Sequence, residues 1–427
     1  MKVMNIQVQR EEIVILGAGY GGLHVAQRLS SLLRDVPPAD AAPNWILLVD
    51  RQHQTQLTTE LPRLVGGERS DGELDIDLDR LVDAKLVRLL SAEITAIRPA
   101  DRRVDTAVGP IEYRYLVIAL GSVSNDFGIP GVREHMRPFI TTEDARGLRI
   151  AAARAIEDAA RIEQDNREVD LADLQRRLTV LVVGAGPTGI EVAGELTEFM
   201  EGEWEAQRRV AGDPPDYRLP KPRIILADAA PTILPGWSGK TIDDVTAALG
   251  ELGVAIRVNA PTARAEPDRV ILKDGTAIEA GVLVWAGGVR APKWLADTSL
   301  PTGSAGRVQV DRFQRVPGHE EIYVVGDSAL VMDEKTGRPL PPTADLALRE
   351  GETAALALAA TLQGHDPTRV LKPLTRNAVS VGQQRGAANL LGVEVKGQAA
   401  HAIKDLIEWE YRESITRLGG FSAATVV

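Results

Sequence analysis

The stretch that most constrains the fold is residues 181–196, which read LVVGAGPTGIEVAGEL. An apolar run over 179–183 leads into the glycine turn 184–189, and a helix of small residues follows at once. Gly184 permits the tight turn, Gly186 lets the backbone approach a diphosphate, and Gly189 lets the helix pack close to the strand. The pattern predicts a dinucleotide site, but a lone turn of this kind is weak evidence.

A second copy of this arrangement lies near the N-terminus. The apolar run 13–16 ends in GAGYGG, where Gly17, Gly19 and Gly22 occupy the positions of the three glycines. Two such units, each behind an apolar run, predict an α/β protein with two Rossmann-like domains that binds two dinucleotides.

The composition argues against several other kinds of function. The net charge of −11 disfavours nucleic acid as a partner, because phosphate binding needs a basic surface. The chain has no cysteine, which excludes disulfides and thiolate catalysis, and its six histidines have no metal-ligand spacing, so we expect no metal site. The polar N-terminus, and the lack of an apolar run near the roughly 20 residues that span a bilayer, predict a cytoplasmic protein.

Two acidic residues follow the strand-like runs that come after the glycine turns. Asp50 ends the run 45–49, and Asp228 ends the run 223–227. An acid at this place accepts a hydrogen bond from a ribose hydroxyl, and the alternative for each is a solvated turn residue. A carboxylate at position 228 would repel a 2′-phosphate, so the sequence favours NADH over NADPH.

Further strand-like runs end in small or acidic residues, and such ends approach ligands at the carboxyl edge of a parallel sheet. The candidates are Ala119, Gly121 and Ser122 in the run 115–122, Gly287 after the run 282–286, and Gly326 and Asp327 after the run 321–325. Asp327 either holds a ribityl hydroxyl of a flavin or caps a helix.

An alanine-rich helix is predicted after Pro341 and Pro342, with Thr343 as its N-cap and Ala344 as its first residue. A helix N-terminus carries roughly half a positive charge. Directed at the pyrimidine edge of a flavin, this end would stabilise negative charge there. The alternative is an ordinary capped core helix.

The C-terminal segment differs from the rest of the chain, since from His365 onward basic residues outnumber acidic ones. Apolar residues recur in steps of three and four, which predicts one apolar helix face. They are Ala400, Ile403, Ile407, Tyr411, Ile415 and Leu418. Three partners for this face remain open: the body of the protein, a second subunit in a homodimer, or a bilayer surface.

The ordered set GAGYGG, YLVIALGS, VVGAGPTGIEVAGEL, VWAGGV and YVVGDSA resembles the two-dinucleotide-binding flavoprotein reductases, and most of all the type II NADH dehydrogenases. The resemblance covers residues 12–362. It implies an FAD-binding domain split in sequence, 1–145 and 290–364, with an NADH-binding domain inserted at 146–289. Residues 365–427 would form a membrane-surface or dimerisation segment.

The resemblance also implies roles for the residues above. In that family NADH reduces FAD, and the flavin reduces a quinone at a membrane surface, here the cytoplasmic face. FAD would be held by Gly17, Gly19, Gly22, Asp50 and Asp327, with Ala119, Gly121 and Ser122 nearby, and NADH by Gly184, Gly186, Gly189 and Asp228. Gly287, Gly326 and Ala344 are further cofactor-binding candidates. Glu191 matches the family's glutamate near the two reacting rings and is the predicted catalytic residue; its alternative is a surface charge.

One segment departs from the family pattern. Ala344 would open an Ala-Gln-x-Ala-x-Gln segment at the quinone pocket, but Asp345 and Arg349 stand where the glutamines would be. Such a charge pair makes a poor slot for an apolar ring unless it forms a salt bridge across one helical turn. Two alternatives to a quinone reductase therefore stay open: a flavin enzyme with a soluble acceptor, and a low-turnover NADH-binding redox sensor.

Overall fold

The computed structural model describes residues 9–34, 45–165, 170–212, 217–334, 336–370, 376–390 and 392–416. Leu418, the last member of the predicted apolar face, lies outside these ranges. The helices are α1 Tyr20–Leu33, α2 Leu61–Gly66, α3 Asp71–Leu74, α4 Val132–His135, α5 Thr142–Asp165, α6 Leu171–Arg177, α7 Pro187–Val210, α8 Gly239–Glu251, α9 Ala344–Leu362 and α10 Gln398–Thr416.

The strands fall into two larger sheets and several short ones. They are β1 Gln9–Leu16, β2 Ile46–Asp50, β3 Gln54–Gln56, β4 Asp75–Asp77, β5 Val87–Ser91, β6 Ile94–Arg98, β7 Arg103–Thr106, β8 Gly109–Ile118, β9 Val123–Ser124, β10 Arg137–Pro138, β11 Thr179–Val183, β12 Arg223–Ala227, β13 Ala255–Arg257, β14 Thr262–Glu266, β15 Arg269–Leu272, β16 Ala277–Glu279, β17 Val282–Trp285, β18 Val289–Arg290, β19 Val308–Gln309, β20 Arg315–Val316, β21 His319–Val324, β22 Ala329–Leu330, β23 Arg376–Val381, β24 Arg385–Leu390 and β25 Val393–Lys396.

The first sheet has the order β20-β21-β8-β1-β2-β5. Its strands β21, β8, β1, β2 and β5 run parallel, so the carboxyl ends of β1, β2, β8 and β21 meet along one edge. Strands β6, β7 and β8 form an antiparallel meander, whereas β5 joins β2 in parallel. A short apolar run does not reveal whether its neighbour runs parallel or antiparallel.

The second sheet has the order β10-β17-β11-β12-β13, and every pair in it is parallel. All five residues of β11 are buried, because both faces of its sheet are covered. Val180 and Val182 lie in the core that α5 and α7 line, whereas Leu181 and Val183 lie in the core that β14 and β15 line. Strands β12 and β17 flank β11, so the turns after these three strands lie side by side.

Helices and a small third sheet complete the molecule. Helix α9 packs along α1, and a Cβ built on Gly351 would lie 2.8 Å from the carbonyl oxygen of Gly21. Strands β23, β24 and β25 form an antiparallel sheet that packs against α10 and α7. The C-terminal segment therefore packs on the body of the protein, where Ala400, Ile407, Tyr411 and Ile415 are buried. Among the described helices, none is long and apolar enough to cross a membrane.

Candidate functional site: two glycine turns and a buried ion-pair cluster

The two glycine turns have nearly the same backbone geometry. The Gly17 N–H donates to Val49 O, and the Gly184 N–H donates to Ala227 O, both at 2.8 Å. The strand on the other side of each turn, β8 or β17, is joined in the same way. Ala119 N donates to Leu16 O and Ala286 N donates to Val183 O, both at 2.7 Å. Each turn is thus held at the carboxyl edge of its sheet by the strands on either side.

The first and third glycines of each turn are required by packing. Gly17 and Gly184 have φ values of +95° and +112°, and a Cβ on either would lie 2.2 Å from a carbonyl oxygen of the neighbouring strand end. A Cβ on Gly22 would lie 2.0 Å from Gly17 O, and one on Gly189 would lie 1.8 Å from Gly184 O. Only glycine therefore lets helices α1 and α7 begin this close to their strands.

The middle glycines have no such packing reason. A Cβ on Gly19 or Gly186 would meet no protein atom within 4 Å. Both residues lie immediately before a helix, where free backbone N–H groups and the positive helix end favour a phosphate. The open space beside each turn fits the diphosphate of a dinucleotide.

The two strand-end acids bind the turns themselves. Asp50 Oδ2 accepts from Ala18 N at 2.8 Å, and Asp228 Oδ2 accepts from Ala185 N at 2.6 Å. The second oxygen of each carboxylate accepts from a backbone N–H two residues further on, at 2.9 Å for Gln52 and 2.7 Å for Ala230. Each carboxylate oxygen retains further lone pairs, so the predicted contact to a ribose remains open.

The loops that follow β8 and β21, on the other side of the first turn, are hydrogen-bonded to each other. Ser122 Oγ donates to Asp327 Oδ2 at 2.7 Å, and Ser328 Oγ donates to Gly121 O at 2.8 Å. Asp327 lies in a single 3₁₀ turn, Gly326–Ser328, and does not cap a long helix. The structure therefore brings the loops of Ser122 and Asp327 together beside the GAGYGG turn.

Two buried polar atoms near Asp327 have no hydrogen-bond partner among the described residues: Glu350 Oε1 and Arg307 Nη2. Glu350 Oε2 accepts from Gly326 N at 2.5 Å, and burial raises the pKa of Glu350 well above its ordinary value. Such atoms are costly to leave unpaired, and they fit a polar ligand such as the flavin half of FAD. Helix α9 begins nearby at Ala344, with Thr343 Oγ1 accepting from Leu346 N at 3.2 Å as predicted.

Glu191 lies in a buried ion-pair cluster rather than on a helix surface. It is 5% exposed, and its Oε1 lies 2.9 Å from Lys404 Nζ and accepts from Ser380 N at 3.3 Å. Lys404 Nζ also lies 3.1 Å from Glu408 Oε1, and Arg63 Nε lies 2.7 Å from Glu408 Oε2. The cluster joins α7, α10, β23 and α2.

Electrostatics within the cluster favour a charged lysine and a glutamate that titrates near neutrality. Burial alone would lower the pKa of Lys404, but attraction to Glu191 and Glu408 outweighs it, and the pKa lies above its ordinary value. Burial raises the pKa of Glu408 to about 7, against the attraction of Lys404 and Arg63. The cluster can therefore gain or lose a proton near pH 7.

The residues in place of the family's glutamines form a salt bridge with each other. Asp345 is 8% exposed, and its Oδ2 lies 3.0 Å from Arg349 Nε across one turn of α9. Arg376 joins from β23, with its Nη2 at 3.2 Å from Asp345 Oδ1 and its Nη1 at 2.5 Å from Glu410 Oε2 of α10. This network links α9 to α10 above the buried Tyr411 ring, which lies 5.9 Å from the Arg376 guanidinium carbon.

Several site residues were not singled out from the sequence. They are Arg63, Glu195, Arg307, Glu350, Arg376, Lys404 and Glu408. A signal existed for three of them, because Lys404 and Glu408 are charges next to the apolar face of α10, and Glu195 lies one turn after Glu191 in an apolar helix. Among the described residues no group of three or more histidine, aspartate and glutamate side chains is arranged to hold a metal ion.

The fold and the paired turns define a class of oxidoreductase with two dinucleotide-binding domains. Residues 11–351 match the pyridine nucleotide-disulphide oxidoreductase family. A protein of Staphylococcus epidermidis named type II NADH:quinone oxidoreductase is 30% identical over 419 residues, 97% of this chain and 98% of its own. A protein of the same name in Staphylococcus haemolyticus is 29% identical over 418 residues, with the same coverage. The chain belongs to the pyridine nucleotide-disulphide oxidoreductase family, and within it to the type II NADH:quinone oxidoreductases.

Solved structures have the same fold. NDH2 from Plasmodium falciparum in complex with NADH matches with a TM-score of 0.79 at 17% identity, over 94% of this chain and 96% of that one. The sulfide:quinone oxidoreductase from Aquifex aeolicus matches with a TM-score of 0.72 at 20% identity, over 96% and 92%. At these identities the likeness shows the fold alone.

Proposed function

We propose that this protein is an FAD-dependent NADH:quinone oxidoreductase. The pair of glycine turns carries the proposal, because each has the same hydrogen bonds and the same open space beside its middle glycine. FAD, when bound, accepts a hydride from NADH and passes its electrons on. The curated relatives are named for a quinone acceptor, and this supports a quinone here.

Each glycine turn, together with the strand ends beside it, is assigned to one of the two nucleotides. Gly17, Gly19, Gly22 and Asp50 hold the adenosine half of FAD, and the Ser122–Asp327 pair holds its flavin half. Gly184, Gly186, Gly189 and Asp228 hold NADH. The FAD domain comprises residues 1–145 and 290–364, and the NADH domain comprises 146–289. The membership of the strands in the two sheets supports this division with one exception, since β10 precedes residue 146 but pairs with β17 in the second sheet.

Glu191 is the proposed catalytic residue. Its Oε1 is fixed by Lys404 Nζ and Ser380 N, so the carboxylate has one orientation at the meeting point of α7, β23 and α10. In this role the carboxylate positions a reacting ring or relays a proton to the acceptor. Its burial keeps water away from that exchange.

The purified protein is expected to be yellow and to oxidise NADH with many turnovers in the presence of a quinone. NADH should be preferred over NADPH, because Asp228 repels a 2′-phosphate. The measurement is the flavin absorbance spectrum, followed by rates with NADH and NADPH against a panel of quinones, with and without liposomes. A colourless protein that FAD cannot load would refute the assignment.

A soluble acceptor is the second candidate, and the replacement of the family's glutamines by Asp345 and Arg349 motivates it. Their salt bridge across one turn of α9 meets the condition under which a quinone slot is retained, so the quinone stays the first candidate. In the same assay, turnover with a soluble acceptor but with no quinone would establish this alternative. A single reduction of the flavin by NADH without further turnover would establish the other alternative, a low-turnover NADH-binding redox sensor.

The exposed side of α10 is proposed to touch the cytoplasmic face of a membrane. Leu406 and Trp409 lie three residues apart on this helix and are 53% and 50% exposed, while the opposite side packs on the protein. An apolar pair of this kind inserts into the boundary between lipid headgroups and acyl chains. A homodimer is the competing use of the same surface.

The double substitution Leu406→Ser and Trp409→Ser is expected to weaken binding to anionic phospholipid vesicles by about tenfold or more, since each buried apolar side chain contributes roughly 1.5–3 kcal/mol. Co-sedimentation with vesicles measures the effect. Leu171→Ser is the matched control, because Leu171 is 49% exposed on α6. If the double variant binds vesicles normally but loses a dimer in sedimentation velocity, the surface is a dimer interface.

A further inference from the structure

A loop between the two proposed nucleotide sites presents an exposed aromatic ring. The loop follows β8 and covers residues 121–131, which read GSVSNDFGIPG. Phe127 is 63% exposed, and its φ of +51° lies in the left-handed region that a phenylalanine rarely adopts. A Cβ built on Gly288 would lie 3.6 Å from Phe127 Cζ, so the ring lies beside the glycine pair that follows β17.

Hydrogen bonds fix this loop to the end of β17. Asn125 N donates to Gly288 O at 3.0 Å, and Trp285 Nε1 donates to Asn125 O at 2.9 Å. Phe127 N donates to Asn125 Oδ1 at 3.1 Å, and strand β9 of the same loop pairs with β18. The strained backbone of Phe127 is therefore held in place by its surroundings, and strain of this kind clusters at ligand sites.

The strand order places Phe127 on one side of the second glycine turn. In the order β17-β11-β12, the turn follows β11, Asp228 follows β12, and Gly288 follows β17. A Cβ on Gly184 would lie 2.7 Å from Gly287 N, so the end of β17 directly adjoins the turn. Asp228 and Phe127 therefore lie on opposite sides of the turn.

NADH extends in two directions from its diphosphate. With the diphosphate at the second turn and the adenosine ribose at Asp228, the nicotinamide half must extend the other way, over the end of β17. The proposed flavin site lies in the same direction, because Ser122 of the Phe127 loop donates to Asp327 Oδ2 at 2.7 Å. This step rests on the proposed function.

The properties of Phe127 suit a wall beside that half of the ligand. A single exposed apolar side chain needs no explanation in itself, but this one is held on a strained backbone, and Val123 of the same loop is also 39% exposed. Aromatic rings pack against other planar rings in offset or edge-to-face arrangements. A phenyl ring here gives the nicotinamide an apolar surface and offers no group that reacts with it.

We propose that Phe127 forms one wall of the nicotinamide pocket. Its ring packs against the nicotinamide of NADH, covers it from water and limits its orientations relative to the flavin. Phe127 exchanges no proton or electron. Its contribution is therefore to the binding of the nicotinamide half of the ligand, and the adenosine half is bound without it.

The test compares two ligands that differ in the nicotinamide. Isothermal titration calorimetry of the oxidised holoenzyme measures the Kd of NAD⁺ and of ADP-ribose, which lacks the nicotinamide. Phe127→Asn should raise the Kd of NAD⁺ by about threefold to tenfold, as for loss of an aromatic contact, and should leave that of ADP-ribose unchanged. Phe127→Leu should recover part of the loss, since it keeps an apolar side chain.

Thermal unfolding of the same variants separates ligand binding from a structural role. Asparagine adopts the left-handed region more readily than phenylalanine, so the midpoint of Phe127→Asn should not fall below that of the wild type. Val108→Asn is the matched control, because Val108 is 65% exposed in the turn between β7 and β8. It should leave the Kd of both ligands unchanged.

The outcomes separate the wall from the proposed function. A wild-type holoenzyme that binds neither NAD⁺ nor ADP-ribose would refute the proposed function. Binding of both ligands by the wild type, with an unaltered Kd for NAD⁺ in Phe127→Asn, would refute the wall alone. Equal weakening of both ligands would also refute it, because Phe127 would then act on the adenosine half or support the loop.

Discussion

Replacing Gly186 by alanine is expected to raise the KM for NADH by about 10-fold to 100-fold. A methyl group at this turn would hold the diphosphate away from a backbone N–H, and the hydrogen bond lost to a charged group is worth roughly 1.5–3 kcal/mol. The thermal stability of the protein should not fall, since a Cβ on Gly186 meets no protein atom within 4 Å. Stopped-flow bleaching of the flavin at increasing NADH concentration measures how tightly NADH binds. The flavin spectrum confirms that FAD is retained.

Two matched substitutions on the same helix complete this experiment. Gly202→Ala places a methyl group in equally open space on α7, far from the turn, and should leave the KM unchanged. Gly189→Ala puts its Cβ 1.8 Å from Gly184 O and should damage folding itself. An unchanged KM in Gly186→Ala would contradict the diphosphate site, because the turn would then accept a side chain where the ligand is placed.

The glycine turns could be predicted because their requirement is local. Gly17, Gly22, Gly184 and Gly189 face backbone atoms that lie within a few residues or at the next strand end, and any other residue type would overlap them. The spacing of three glycines behind an apolar run therefore predicts both the fold and the ligand. The positions of Asp50 and Asp228 at strand ends could be predicted for the same reason. Their hydrogen bonds to Ala18 N and Ala185 N were not predicted.

The ion-pair cluster could not be predicted, because it depends on which helices meet. Glu191 was singled out from the helix motif, but Lys404 belongs to a helix at the far end of the chain, and nothing in its local sequence names its partner. The same holds for Arg376, which reaches Asp345 from β23. The amphipathic pattern of α10 predicted a buried face, but it did not indicate that Lys404 and Glu408 beside that face make buried ion pairs.

Asp345→Asn is expected to destabilise the protein by about 3 kcal/mol or more, because it removes the anion that the buried Arg349 and the partly buried Arg376 share. Arg349 and Arg376 would then face each other without the carboxylate between them. Arg349→Gln should cost less, roughly 1–2 kcal/mol, since Asp345 keeps its bond to Arg376. Urea unfolding of the holoenzyme, followed by far-ultraviolet circular dichroism, measures both free energies.

The double variant Asp345→Gln with Arg349→Gln tests whether the network also limits the acceptor. It replaces both charges by the amides of the family pattern. Its loss of stability should be smaller than the sum of the losses in Asp345→Gln alone and Arg349→Gln alone, because neighbouring charges couple. If the ionic lining excludes apolar rings, the double variant should turn over a hydrophobic quinone faster than the wild type at equal NADH. A double variant with additive stability losses and unchanged quinone kinetics would mean that Asp345 and Arg349 only join α9 to its neighbours, and that the acceptor binds elsewhere.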